Sequence, residues 1–203
     1  MVDKLPGKIV MASGNVGKLR EIARILEDLD IVVVPQSEFD VCDADETGTT
    51  FAENALIKAR HAAAATGLPA IADDSGLVVD ALDGRPGVYS ARYAGADATA
   101  GENNQKLLDE LEHVNDAKRG AAFHCTACFV MPDVAESLLA TGEWRGQILR
   151  EPRGERGFGY DPLFLDPESG RTAAELSAAE KNARSHRGKA LRQLAALLRQ
   201  RRP

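Results

Sequence analysis

Aromatic residues are scarce in this 203-residue chain, at 5%, and acidic residues stop altogether after Glu180. No uninterrupted apolar run approaches the roughly 20 residues that a membrane-spanning helix needs. The leading MVDKLPGKIV also lacks the apolar stretch of a signal peptide. Cysteine is limited to Cys42, Cys125 and Cys128, which cannot all pair within one chain. These absences exclude a membrane-spanning protein or a disulfide scaffold and fit a soluble protein of the reducing cytoplasm. Cys125 and Cys128 have redox or zinc spacing, but no second ligand pair accompanies them, so they read as core residues. No nucleophile elbow occurs, and Ser75 has no histidine beside it in sequence.

What is present is ordinary globular material: 44% hydrophobic and 28% charged residues. The length suits one large domain or two closely packed lobes, and residues 1–203 read as a single folding unit. With 31 acidic against 25 basic side chains the formal charge is −6, so the whole chain repels a polyanion such as DNA. A small phosphorylated ligand held by a few local cations remains compatible. The basic residues after Glu180 include Lys181, Arg184, Arg187, Lys189 and Arg192; the terminal arginines read as a solvated tail.

The pattern along the chain alternates strands and helices. Lys8 to Ala12 reads as a buried strand running through Ser13-Gly14-Asn15-Val16-Gly17 into a helix with Leu19, Ile22, Ala23 and Leu26 on one face. Ile31 to Val34 is a β-branched run suited to a strand, and Asp40 to Glu46 is too polar for core. Thr50 and Glu53 form a capping box before an alanine-rich helix in which Asn54 and Lys58 lie one turn apart. Ala70-Ile71-Ala72 ends in Asp73-Asp74-Ser75-Gly76, which places carboxylates at the end of a buried strand. Gly101 to Leu111 reads as a helix. Phe123 to Met131 and Leu138 to Ile148 read as strands of a more antiparallel portion. Ser177 and Glu180 open the last helical region, which Ser185-His186-Arg187-Gly188 interrupts.

Several groups suit phosphate chemistry. The turn from Ser13 to Lys18 offers backbone N–H groups at a helix start together with a cation. It is not a Walker A loop, because Leu19 stands where that loop needs Ser or Thr. Glu46, Glu53, Asp73 and Asp74 are the candidate magnesium carboxylates, since this hard ion prefers carboxylate oxygen and water; Glu53 alternatively only caps its helix. Two like charges at Asp73 and Asp74 repel one another unless a cation or donor compensates. Lys18 and Lys58 suit a triphosphate, Phe158-Gly159-Tyr160-Asp161 offers aromatic surface for a base, and His186 and Arg187 are adjacent donors for carbonyl oxygens.

Six ordered segments, SGNVGKLREI, ETGTTFAENALIKAR, IADDSGLVVDAL, GVYSARYAG, GFGYDPLF and AELSAAEKNARSHRGKAL, together resemble the inosine triphosphate pyrophosphatase family. Its members are the non-standard purine nucleoside triphosphate diphosphatases. The resemblance spans nearly the whole chain and implies a mixed α/β fold, a central sheet flanked by helices with two lobes around a deep substrate cleft, and a homodimer. It implies Mg2+-dependent hydrolysis of inosine, deoxyinosine and xanthosine triphosphates to monophosphate and pyrophosphate, which keeps such nucleotides out of DNA and RNA. Carried over residue by residue, Asp74 is the catalytic group and, with Glu46, a metal ligand. Ser13, Gly14, Asn15, Val16, Gly17, Lys18, Lys58, Ser75, Phe158, Gly159, Tyr160, Asp161, Lys181, His186 and Arg187 match substrate-binding positions. Ser13 stands where threonine is frequent and keeps the hydroxyl. Hydrolysis of ordinary nucleotides and nucleotide sensing without turnover are the competing readings, and base selectivity and pyrophosphate release discriminate among them.

Overall fold

The computed structural model describes residues 7–14, 16–29 and 31–201. Four elements open the chain: strand β1 (Lys8–Met11), helix α1 (Val16–Ile25), strand β2 (Val32–Pro35) and helix α2 (Phe51–Thr66). β1 pairs in parallel with β2, Lys8 opposite Val32, and with β3 (Ala70–Val79), Val10 opposite Ala70. Parallel neighbours need a crossover, and α1 and α2 supply it. After α3 (Ala100–Glu110) come β4 (Gly120–Val130), β5 (Ser137–Ile148), β6 (Phe164–Asp166) and β7 (Arg171–Thr172). β5, β6 and β7 pair antiparallel. The result is a mixed seven-stranded sheet in the order β2-β1-β3-β4-β5-β6-β7, with helices α4 (Ala178–Arg184) and α5 (His186–Arg199) closing the chain. The expected mixed α/β class therefore holds. No helix among the described residues is long and apolar enough to cross a membrane.

Two details depart from the sequence reading. The apolar run does not end at the aspartates: β3 continues through them to Val79, so Asp73 and Asp74 sit in mid-strand. The final helices are separated by Ser185 alone, in extended conformation, and His186 to Gly188 already form the first turn of α5.

The chain divides into two compact units. The first comprises residues 1–74, 125–142 and 187–203. Period-two alternation sends neighbouring β1 and β3 side chains to opposite faces. Ile9, Met11 and Ile71 pack with Ile22 of α1, with Leu26 just after it, and with Leu191, Leu194 and Leu198 of α5. Val10, Ala12, Ala70 and Ala72 pack on the other face with Ala55, Ala59, Ala62 and Ala63 of α2. Alanines allow α2 a close approach, whereas each buried leucine of α5 contributes about 1.5–3 kcal/mol. The same alternation separates Cys125, in the first cluster, from Cys128, in the second; both are buried free thiols, as their reading as core residues requires.

The second unit comprises residues 75–124 and 143–186. Its core gathers Leu77, Val79, Leu107, Leu111, Phe123, Trp144, Ile148, Tyr160, Leu163 and Phe164. The few aromatic residues are thus concentrated: the Phe123 ring lies 4.5 Å from that of Phe164, and Trp144 meets Phe164 edge-on at 5.1 Å. Arg119 is 1% exposed and donates to the carbonyls of Ile148, Leu111 and Leu149. Burial pushes its pKa down, and Arg150 adds to that fall. Arg119 thereby ties the end of α3 to the residues after β5.

Candidate active site

β3 turns adjacent carboxylates to opposite faces of the first unit. Asp74 shares its face with α2, where Asn54 Nδ2 donates to Asp74 Oδ2 at 3.3 Å and Lys58 Nζ donates to Asp74 Oδ1 at 2.8 Å. The same ammonium donates to Glu46 Oε1 at 2.7 Å. Two carboxylates from separate segments therefore converge on one cation. Asn54 is fully buried, and its Oδ1 accepts from Gly48 N at 2.8 Å, fastening the loop that carries Glu46 to the helix that carries Lys58. A Cβ on Gly48 would stand 2.6 Å from that oxygen, so only glycine fits there without a shift.

The electrostatics follow from this crowding. Burial pushes the Asp74 carboxyl above its ordinary value; Lys58 opposes the rise and Glu46 adds to it. Burial would lower Lys58, but Asp74 and Glu46 outweigh it and hold the ammonium above its usual range. Glu53 caps its own helix. Its carboxylate accepts from Thr49 N and Thr50 N, and Thr50 completes the reciprocal capping box.

Asp73 faces the other way and is 2% exposed. Its Oδ1 lies 3.0 Å from Lys18 Nζ, and its Oδ2 lies 3.1 Å from Arg187 Nε. Burial by itself would raise its carboxyl, yet Lys18 and Arg187 overcome that and hold it far below the ordinary carboxylate range. The repulsion expected between the two aspartates is thus resolved by geometry, with different cations on each face. Ser13 is half-buried, with its N–H donating to Met11 O at 2.8 Å, and Gly14 and Gly17 are exposed. Val16 begins α1, and Asn15 lies outside the described residues.

The remaining expected residues belong to the second unit. Phe158 is 62% exposed, with Lys181 Nζ 4.8 Å from its ring centroid, and Lys181 also pairs with Asp161. Asp161 is buried and accepts from Phe158 N at 2.8 Å; a Cβ on Gly157 would lie 2.0 Å from its carboxylate, which fixes glycine at that φ of +79°. Gly159 also has positive φ, and its carbonyl accepts from Asn104 Nδ2. The two loop aromatics divide their roles: Tyr160 is buried, with its hydroxyl on Ser90 O, so only Phe158 offers an exposed ring. His186 is 8% exposed and stacks on Phe123 at 4.9 Å, while Ser75 is half-buried on β3.

Fold and side chains together define a mixed α/β protein whose third strand carries adjacent carboxylates, each met by cations from the helices. The chain belongs to the Ham1 family, whose model matches residues 9–197. It is 55% identical to a dITP/XTP pyrophosphatase of Coxiella burnetii over 94% of this chain and 96% of that relative. Against the dITP/XTP pyrophosphatase of Escherichia coli K12 the identity is 54%, over 95% and 98%. The solved HAM1 protein from Coxiella burnetii superposes with TM-score 0.91 at 54% identity, covering 95% of this chain and 98% of that one. The Staphylococcus aureus Ham1 protein gives 0.87 at 42% identity over the same shares.

Proposed function

We propose that the chain hydrolyses non-standard purine nucleoside triphosphates, those of inosine, deoxyinosine and xanthosine, to the monophosphate and pyrophosphate. In doing so it would clear them from the nucleotide pool before their incorporation into DNA and RNA. The observation that carries this reading is the convergence of Glu46 and Asp74 on one cation, Lys58 Nζ, at 2.7 and 2.8 Å. Relatives of the stated identity, named dITP/XTP pyrophosphatase, supply the substrate class.

A magnesium ion fits this donor set, because hard carboxylate oxygens already meet at a single positive centre. No group of three or more His, Cys, Asp or Glu side chains gathers for a metal among the described residues. Two protein carboxylates leave the other positions to phosphate oxygens and water, the usual habit of Mg2+. Glu46 and Asp74 would hold the ion, which when bound neutralises phosphate charge and acidifies water. Asp74, raised by burial, orients the attacking water and accepts its proton. The water oxygen forms a bond to the α-phosphorus, and the bond to the bridging oxygen breaks. Pyrophosphate departs with that electron pair, and Lys18 and Lys58 stabilise its charge. The turn from Ser13 to Lys18 and Ser75 contact phosphates, and the exposed Phe158 ring stacks on the base with Tyr160 anchoring its loop. Asp161 and Lys181 shape that contact, and His186 and Arg187 donate to the purine carbonyl. The same reading takes residues 1–203 as one two-lobed domain working as a cytoplasmic homodimer.

Adenine carries an amino group where hypoxanthine and xanthine carry a carbonyl, so it leaves donors unpaired at about 1–3 kcal/mol each. Pyrophosphate release from inosine and adenosine triphosphates, with and without Mg2+, tests the reading. Strong preference for inosine triphosphate is expected, narrowing in Arg187→Ala; equal specificity constants in the parent would overturn it.

A further inference from the structure

Asp73 is a buried charge that the proposed reaction leaves without a task. β3 turns it away from Asp74, Glu46 and Lys58 and toward α1 and α5. There its two oxygens meet two cations from opposite ends of the chain, Lys18 Nζ at 3.0 Å and Arg187 Nε at 3.1 Å. Both side chains are only partly exposed, 20% and 12%, against 1% for the Asp73 side chain. Such a pair is poorly screened by salt. Lysine and arginine carry high rotamer entropy, and a fixed counter-charge removes part of it before any ligand arrives. Bonding through Nε also sets the orientation of the planar Arg187 fork.

We propose that Asp73 is a positioning residue that pins Lys18 and Arg187 to one rigid strand, so that the grip on phosphate and the choice of base are set jointly. The proposal rests on the function proposed above, in which Lys18 meets phosphate and Arg187 meets the purine carbonyl. Losing either cation removes one of the two charges that share Asp73 and shifts the other. The two cations are therefore energetically coupled although each contacts a different part of the substrate. A plain structural counter-charge would support folding without linking the two effects.

The test measures kcat and KM for inosine and adenosine triphosphates in the parent, Asp73→Asn, Lys18→Ala, Arg187→Ala and Lys18→Ala/Arg187→Ala. In Asp73→Asn an amide replaces an acceptor with a donor, so one cation is released. The expected result is a KM for inosine triphosphate raised at least about tenfold, a smaller change in kcat, and a reduced preference over adenosine triphosphate. In the double-mutant cycle the specificity constants should depart from multiplicativity by about fivefold or more. Multiplicative effects within about twofold would overturn the proposal, as would a folded Asp73→Asn with parental KM and selectivity. The cycle decides the matter alone if Asp73→Asn does not fold. A parent without preference for inosine triphosphate would instead overturn the underlying function, which separates the two failures.

Discussion

At Asp74, exchange of the carboxylate for an amide preserves shape and the bond from Asn54 while removing the charge that engages water and metal. Asp74→Asn is expected to lose at least about a hundredfold in kcat, within the range for a general base, with an unchanged circular dichroism spectrum. Retention of near-parental turnover would remove Asp74 from its role. Lys58 offers a complementary measurement. Its ammonium occupies the point on which Glu46 and Asp74 converge, so it competes there with a metal. Lys58→Ala should show a larger rise in thermal midpoint on adding Mg2+ than the parent does, even as its turnover falls. An equal or smaller rise would show that the metal does not use these two carboxylates.

At the scale of the element, β3 matters through its period of two and α2 through its start. Thr50 accepts from Glu53 N at 3.2 Å, and Glu53 returns the bond to the cap backbone. Thr50→Ala is expected to cost about 1 kcal/mol, which lowers the thermal midpoint by roughly 2–4 °C in a chain of this size. The Mg2+ concentration giving half-maximal activity should stay unchanged, because Glu53 serves the cap. A shifted metal requirement would return Glu53 to the metal site. The capping boxes were legible because their partners stand three residues apart. The β3 break was misread because two aspartates look like a strand end, whereas cations on both faces allow the strand to continue.

Across the whole molecule, near and distant partners together give Asp166 its acid response. Asp166 is buried and accepts from Trp144 Nε1 at 3.2 Å and from Ser169 N at 3.2 Å, with Arg184 beside it. Burial would raise its carboxyl, but the bonds from Ser169 and Trp144 and the charge of Arg184 lower it below 3.8. A depressed folded-state value means that the stabilisation is present above 3.8 and is lost as pH falls through the folded value. Asp166→Asn should therefore lower the midpoint by roughly 2–6 °C at neutral pH, and the gap to the parent should close below about pH 4. A gap independent of pH would show that shape, and not charge, matters at this position.

Local spacing in the sequence determined the succession of strands and helices, the capping boxes at Thr50 and Ser177, the core placement of Cys125 and Cys128, and the set of charged residues suited to a phosphorylated ligand. These features depend on neighbours within one or two turns, or on alternation along one strand. Tertiary structure decided which charges meet. Asp73 and Asp74 are adjacent in the chain, but the pleat assigns one to Lys18 and Arg187 and the other to Lys58 and Asn54. Nothing local marks Arg119 as buried, because its three carbonyl partners come from the segments around Leu111 and Ile148. Likewise only packing distinguishes Tyr160, anchored on Ser90, from the exposed Phe158 two residues before it. Burial and ion pairing are set by distances between segments, and those distances exist only once the sheet has brought the segments together.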